Sequence, residues 1–172
     1  MGSARNALQN SIPTMFSNIA RKMEQSYYDI RHIRVACAII EEDGLVLAAQ
    51  RSETMSMPLK WEFPGGKIED GESATECLQR ELLEELGIVV SICKQLPTAS
   101  HLYDDFAISL YPFICSLERG DITLHEHRAI TWVPPECMLH LEWAAADLPV
   151  IDSYLQSRWQ SLSSTNDSDS RS

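Results

Sequence analysis

The segment from Gly66 to Ile88, which reads GKIEDGESATECLQRELLEELGI, constrains the possible folds of this chain more than any other stretch. Apolar residues recur along it at four-residue intervals: Ala74, Leu78, Leu82 and Leu86. This periodicity predicts a helix that packs one face on a sheet. Ser73, with Glu76 three residues later, predicts a capping box at the helix start. Gly87 predicts a left-handed residue at the helix end.

The same helix carries a second, acidic face. Glu81, Glu84 and Glu85 are spaced i, i+3 and i+4, so their side chains share one side of the helix. Like charges at this spacing repel by roughly a few tenths of a kcal/mol per pair. A hard divalent cation bound through oxygen ligands would neutralise them. Arg80 lies four residues before Glu84 and can orient that carboxylate. The alternative is a solvated acidic face.

The segment resembles the Nudix box, whose pattern is G-x5-E-x7-R-E-U-x-E-E-x-G-U with U an aliphatic residue. Every fixed position is matched, by Gly66, Glu72, Arg80, Glu81, Leu82, Glu84, Glu85, Gly87 and Ile88. So many identities at set offsets favour the family over the solvated face. The resemblance implies an α/β/α sandwich with a mixed β-sheet between helices.

The resemblance also implies a catalytic Mg²⁺ ion, for which Mn²⁺ could substitute. Its expected ligands are Glu81, Glu84, Glu85 and the carbonyl of Gly65. Arg80 would act with these carboxylates in catalysis, and Glu72 would orient the loop and the ligands. The alternative for Glu72 is a helix N-terminal carboxylate that stabilises the helix dipole.

A further acidic candidate lies outside the box, in the run Leu124–Arg128. MutT-type members carry a glutamate in the matching loop, where it binds metal or acts as general base, and Glu126 fits that placement. The alternative is an exposed loop glutamate. His125 and His127 flank it, and without a third ligand at suitable spacing they indicate a loop histidine pair rather than a zinc site.

Substrate selection should depend on residues beside the box. The chain resembles the MutT branch of the family, in which positions matching Arg51, Phe63 and Asp147 face the nucleobase. Gly66 and Lys67 would contact phosphates. An ionised Asp147 would suit an exocyclic amino group such as cytosine N4, although guanine also presents donors. The alternative is that Asp147 caps the closing helix.

The resemblance therefore predicts a Mg²⁺-dependent nucleoside triphosphate pyrophosphohydrolase that yields a monophosphate and pyrophosphate. Expected substrates are CTP, dCTP or 5-methyl-dCTP, or else 8-oxo-dGTP in nucleotide-pool sanitising and DNA repair. One alternative is a nucleotide sensor of the same fold without turnover. Another is hydrolysis of a different nucleoside diphosphate derivative.

Composition limits the partners. The net charge of −11 over 172 residues disfavours binding to polymeric nucleic acid. No apolar run reaches the length of a membrane span. The five cysteines are scattered without C-x-x-C spacing, which indicates free thiols in a reducing compartment. We expect a cytoplasmic monomer or homodimer that acts on a small nucleotide.

Three regions are expected: an N-terminal extension over 1–31, a hydrolase domain over 32–159 and a disordered tail over 160–172. The extension contains apolar residues at helical spacing and no acid before Glu24, so a transit peptide is an alternative. Strands are predicted over 33–40, 45–49, 88–93, 106–117 and 129–133, and a closing helix over 148–159.

Overall fold

The computed structural model describes residues 30–169, and the expected N-terminal extension lies almost wholly outside the described residues. An eight-stranded sheet forms the centre of the fold. Its strands are β1 (Arg31–Glu42), β2 (Leu45–Gln50), β3 (Trp61–Glu62), β4 (Gly65–Lys67), β5 (Val89–Gln95), β6 (Ala99–Leu102), β7 (Phe106–Arg119) and β8 (Ala129–Val133). The helices are α1 (Ala74–Leu86) and α2 (Leu148–Asp169), and two 3-10 helices span Pro135–His140 and Ala145–Asp147.

The sheet is mixed, with the order β3-β2-β1-β7-β5. Strands β1 and β7 run parallel, from the pair Arg31 and Phe106 to the pair Glu41 and Ser116. The other strand pairs are antiparallel, with β4 added to β1, β6 to β7 and β8 to β2. All five predicted strands are present. Strands β3, β4 and β6 were not predicted, because two to four residues are too few to show an alternating pattern.

The two faces of the sheet bury separate apolar clusters. Along β1, Ala38 and Ile40 face the cluster under α1, whereas Cys37 and Ile39 face the cluster under α2. This alternation follows from the two-residue repeat of a strand. Helix α1 covers the first face with Leu78, Leu82 and Leu86, and α2 covers the second with Val150, Ile151 and Tyr154. The predicted α/β/α sandwich is therefore confirmed.

Helix α1 begins and ends where the sequence predicts. The Ser73 hydroxyl accepts from the Glu76 backbone N–H at 3.2 Å, and the Glu76 carboxylate accepts from the Ser73 N–H at 2.9 Å. Gly87 adopts the left-handed conformation with φ 68°. Both caps satisfy backbone groups that a helix end leaves unpaired.

Helix α2 continues to Asp169, ten residues past the expected end at Trp159, and the backbone of 160–169 differs from the disordered tail expected there. This stretch contains no glycine or proline that would end a helix. The hydroxyls of Ser161 and Ser163 donate to the carbonyls of Ser157 and Trp159 four residues earlier. Within residues 30–169, no helix is long and apolar enough to cross a membrane.

Candidate active site

The glycine turn that leads to α1 lies directly against the centre of the sheet. Gly65 pairs with Cys37, and Gly66 pairs with Ala36. Gly65 has φ +144°, and a Cβ there would lie 2.1 Å from the carbonyl oxygen of Ala36. Only glycine fits this position, because both the backbone angle and the space exclude a side chain.

Gly66 brings the first acidic side chain of the box against the turn. A Cβ on Gly66 would lie 2.0 Å from the carboxyl carbon of Glu81 and 2.2 Å from its Oε1. The carboxylate of Glu81 therefore occupies the space that any larger residue at 66 would need.

Arg80 holds several acidic groups at once. Its Nε and one Nη donate to the two oxygens of Glu72 at 2.9 and 3.0 Å, which is a bidentate pair. The other Nη donates to Glu81 at 2.8 Å and to Glu84 at 3.5 Å. Arg80 also donates to the carbonyl of Lys67 at 3.3 Å. The loop before α1 and the acidic face of α1 are thus joined through one guanidinium.

This contact changes the acidity of Glu72. The hydrogen bonds from Arg80, assisted by the backbone N–H of Glu69, lower the pKa of Glu72 to about 2. Glu72 therefore stays ionised, and its oxygens are occupied by Arg80 and the loop backbone. These bonds join the loop before α1 to Arg80, and the orienting role of Glu72 stays a prediction.

Glu85 is the buried carboxyl of the site, with 5% of its surface exposed. It accepts a hydrogen bond from the Gly65 N–H at 3.3 Å. The pKa of Glu85 is raised to about 7, chiefly by burial and also by the nearby carboxylates of Glu62 and Glu81, against the opposing effects of His127 and the Gly65 N–H. A bound cation would relieve both the burial cost and the repulsion among these carboxylates.

The expected metal ligands are oxygen donors of the kind that Mg²⁺ takes. Among residues 30–169, however, no three His, Cys, Asp or Glu side chains already converge on a metal position. Glu84 is exposed and points its carboxylate toward Arg80. The donor chemistry fits a hard divalent cation, with Glu81 and Glu85 next to the Gly65–Gly66 turn and Glu84 one helical turn away.

The loop before β8 contains Glu126, whose expected role at the metal stays a prediction, and the neighbouring His127. Glu126 is exposed, whereas the neighbouring His127 is buried, with 6% of its surface exposed. The imidazole Nε2 lies 3.0 Å from Oε1 of Glu62. Glu62 was not predicted as a site residue, and His127 was predicted only as one of a loop histidine pair. The only available signal was the position of Glu62 between Trp61 and Phe63, directly before the glycine turn.

Asp147 lies in the second 3-10 helix, next to the glycine turn in space. Its Oδ1 accepts from the backbone N–H of Phe63 at 3.1 Å, so its hydrogen bond goes to Phe63 instead of the first turn of α2. The pKa of Asp147 is raised to about 8, chiefly by burial and also by Glu62, against the opposing effects of the Phe63 N–H and Arg51. At this pKa the carboxyl of Asp147 is mostly protonated at neutral pH, which differs from the ionised carboxylate expected from the sequence.

Aromatic side chains pack near the segment that carries Asp147. The ring of Phe63 packs on Trp143 with centroids 4.8 Å apart. The Tyr103 hydroxyl accepts from the Ala146 N–H at 3.3 Å, and its ring stacks on Phe106 at 4.7 Å. Phe63 is buried, and Tyr103 is partly buried.

Arg51 makes contacts that a base-facing role would not require. Its Nε donates to the Ser56 carbonyl at 2.5 Å and one Nη to the Ser56 hydroxyl at 2.8 Å. The other Nη donates to Oε2 of Glu62. Lys67 is exposed at the end of β4. Contacts of Arg51 and Lys67 with substrate remain predictions.

Residues 30–154 match the family model described as NUDIX domain. The chain belongs to the Nudix family. The CTP pyrophosphohydrolase of Escherichia coli K12 is 36% identical over 129 residues, which cover 75% of this chain and 96% of that protein. The 8-oxo-dGTP diphosphatase of Proteus vulgaris is 38% identical over 96 residues, which cover 55% and 86%.

Solved structures share the fold. A MutT protein from Methanosarcina mazei Go1 superposes with a TM-score of 0.69 at 25% identity, covering 76% of this chain and 97% of that one. The solution structure of the Escherichia coli ORF135 protein superposes with a TM-score of 0.66 at 35% identity, covering 75% of this chain and 92% of that one. This Nudix chain is therefore a hydrolase that acts on phosphoanhydride bonds, as predicted.

Proposed function

We propose that this Nudix hydrolase is a Mg²⁺-dependent nucleoside triphosphate pyrophosphohydrolase that releases a nucleoside monophosphate and pyrophosphate. The observation that carries the proposal is the buried carboxyl of Glu85 beside Glu81 at the Gly65–Gly66 turn. Two carboxylates held this close, one of them out of water, form a binding position for a hard cation.

The carbonyl of Gly65 and the carboxylates of Glu81, Glu84 and Glu85 would hold the ion, with Glu126 as a further candidate from its loop. When bound, Mg²⁺ neutralises charge on phosphoryl oxygens and activates water. Arg80 keeps Glu81 in place and ties it to the loop through Glu72 and the Lys67 carbonyl. Because outer contacts of this kind orient metal ligands, Arg80 and Glu72 would contribute to activity without touching the substrate. The exposed Lys67 and the backbone of Gly66 would meet the phosphates.

Asp147 and Phe63 would select the base. With a pKa near 8, the Asp147 carboxyl carries a proton at neutral pH, and its Oδ1 is occupied by the Phe63 N–H. A neutral carboxyl can donate one hydrogen bond to a base nitrogen or carbonyl as well as accept one. This property suits a ring that presents an acceptor beside a donor, as both cytosine and oxidised guanine do.

We place cytidine triphosphates first among the substrates and 8-oxo-dGTP second. The support is that the relative named CTP pyrophosphohydrolase aligns over 129 residues, whereas the 8-oxo-dGTP diphosphatase aligns over 96. We propose that the protein works on free nucleotides in the cytoplasm, as a monomer or homodimer. It would remove unwanted nucleoside triphosphates from the pool of free nucleotides.

A substrate panel tests this proposal. Values of kcat/KM with Mg²⁺ should be highest for one of CTP, dCTP and 5-methyl-dCTP, next highest for 8-oxo-dGTP, and much lower for ADP-ribose and dinucleoside polyphosphates. Calorimetric binding of the same nucleotides separates the rival function. Tight binding without turnover of any of them would identify a sensor and refute the proposal.

A further inference from the structure

His127 is a buried histidine in an exposed loop. Its side chain is 1% exposed, whereas His125, Glu126 and Arg128 around it are exposed. Among the buried side-chain nitrogen and oxygen atoms of the described residues, only Nδ1 of His127 lacks a hydrogen-bond partner. A buried polar group without a partner costs free energy, so its retention calls for a compensating role.

The backbone fixes the loop on both sides of His127. The His125 N–H donates to the Glu85 carbonyl at 3.1 Å, and the Arg128 N–H donates to the Gln50 carbonyl at 2.8 Å. One bond ties the loop to the end of α1, and the other ties it to the end of β2. The imidazole is therefore held in one place, between the acidic helix and the strand that precedes Arg51.

From His127 a continuous chain of hydrogen bonds runs to a second loop. His127 Nε2 lies 3.0 Å from one oxygen of Glu62, and the other oxygen of Glu62 accepts from Arg51. Arg51 in turn donates to the carbonyl and the hydroxyl of Ser56. The side chains of Arg51 and Glu62 are only 14% and 16% exposed, so solvent competes weakly for the bond between these two side chains.

The second loop borders a cavity of about 400 Å³. Met57, Pro58 and Lys60 line one side, and Trp143, Ala144 and Ala145 line the other. Backbone bonds link the two sides, from the Trp61 N–H to the Glu142 carbonyl and from the Ala144 N–H to the Trp61 carbonyl, at 2.9 and 2.8 Å. The position of Ser56, directly before Met57, therefore bears on the shape of this cavity.

We propose that His127 is a positioning residue for substrate binding. Its hydrogen bond fixes the carboxylate of Glu62, and Glu62 keeps Arg51 bonded to Ser56. The bonds to Ser56 in turn fix the position of the loop 51–60 beside the cavity. This inference rests on the proposed function, since the cavity is taken as part of the nucleotide site. In this proposal Arg51 stabilises the loop through Ser56 and does not contact the base directly. Loss of the imidazole bond would raise KM more than it lowers kcat, because the hydrogen-bond network ends at Ser56, in the loop that borders the cavity.

Two amide replacements test the bond. The amide nitrogen of His127→Gln reaches the position of Nε2 and can donate to Glu62, whereas that of His127→Asn reaches only the position of Nδ1. We expect His127→Asn to raise KM by about tenfold, the size typical of contacts that act through another residue. His127→Gln should stay within about threefold of wild type in KM. Equal effects of the two substitutions, or a loss in kcat with KM unchanged, would overturn the proposal.

A substitution at Ser56, the last residue of the hydrogen-bond network, tests the proposal if the His127 variants do not fold. Ser56→Ala removes the hydroxyl acceptor of Arg51 on an exposed residue, so folding should be preserved. It should raise KM by about threefold, whereas the matched control Thr54→Ala, in the same loop and bonded to Ser52 instead, should not. Identical KM values for Ser56→Ala and Thr54→Ala would contradict the proposal.

A spectroscopic readout separates this inference from the proposed function. The Nε–H resonance of Arg51, assigned by its loss in Arg51→Lys, reports the hydrogen bond to Ser56 without any substrate. It should shift in His127→Asn and stay in place in His127→Gln, whether or not the protein hydrolyses a triphosphate. An unchanged resonance in His127→Asn would refute the network even if the hydrolase activity is as proposed.

Discussion

The backbone N–H of Phe63 donates a 3.1 Å hydrogen bond to the buried carboxyl of Asp147, 84 residues later in the chain. The bond joins the residue that follows β3 to the 3-10 helix that leads into α2. It places the acidic helix and the expected base-selecting carboxyl in one region of the molecule. Because Asp147 is buried, its protonation state is coupled to stability.

Stability should fall with rising pH because of Asp147. Its pKa is about 8 in the folded protein against an ordinary 3.8, so between pH 4 and 8 the folded state holds a proton that the unfolded state lacks. The free energy of unfolding therefore falls by up to about 1.4 kcal/mol per pH unit from this group and levels off above pH 8. Asp147→Asn, which keeps the acceptor for Phe63, should lack this component.

Urea unfolding of wild type and Asp147→Asn from pH 5 to pH 9 measures the effect. The stability of wild type should decline relative to the variant as pH rises, and the exposed control Asp104→Asn should follow wild type. Parallel curves for wild type and Asp147→Asn would show that Asp147 is ionised throughout.

Alanine substitutions at the two glycines of the turn should have different effects, one on stability and the other on activity. At Gly65, a methyl group meets the Ala36 carbonyl oxygen at 2.1 Å and φ is +144°, so Gly65→Ala should destabilise the fold by several kcal/mol, roughly the size of severe backbone effects. At Gly66 the obstacle is the end of the Glu81 side chain, which can move. Gly66→Ala should therefore fold and lose activity by about a hundredfold or more.

Gly71→Ala is the control for this pair, since it also has positive φ, at +85°, with nothing within 4 Å of the added carbon. It should cost roughly 1 kcal/mol and leave kcat unchanged. Thermal unfolding together with kcat measures all three variants. A fully active Gly66→Ala protein would contradict the position assigned to Glu81.

Arg80→Lys should reduce kcat/KM by about 10- to 100-fold with little loss of stability. Lysine keeps the charge and loses the bidentate bond to Glu72 together with the simultaneous bond to Glu81. Arg128→Lys is the matched control, because Arg128 pairs with the exposed Glu53. Equal activity of the two variants would show that the bonds made by Arg80 do not orient the site.

The bounds of helix α1 and the closeness of its charged side chains could be predicted from the sequence. Local signals define that helix: its apolar spacing, the Ser73–Glu76 cap and Gly87. The closeness of Arg80 to Glu81 and Glu84 also follows from helical spacing. Strands β3 and β4 could not be predicted, because they exist through pairing with β2 and β1 and carry no pattern of their own.

The remaining differences between the predicted and the observed site come from burial, which depends on packing between distant segments. Nothing local distinguishes His127 from His125, yet the former is buried against Glu62 and the latter is exposed. The protonation of Asp147 likewise depends on the apolar surroundings that Phe63 and Trp143 create. Contacts of Arg51 depend on the course of the loop 51–60, which the sequence leaves open.

Product analysis by ³¹P NMR, with CTP and 8-oxo-dGTP in the presence of Mg²⁺, tests the central claim most directly. Wild type should convert at least one of them to its monophosphate and pyrophosphate, and removal of the metal by EDTA should stop the reaction. Glu85→Gln should lose more than about a hundredfold in rate, beyond the loss typical of outer contacts, while the exposed control Glu42→Gln keeps full activity. Formation of a nucleoside diphosphate and phosphate, or an undiminished rate in Glu85→Gln, would contradict the proposal that helix α1 binds the metal used in pyrophosphate release.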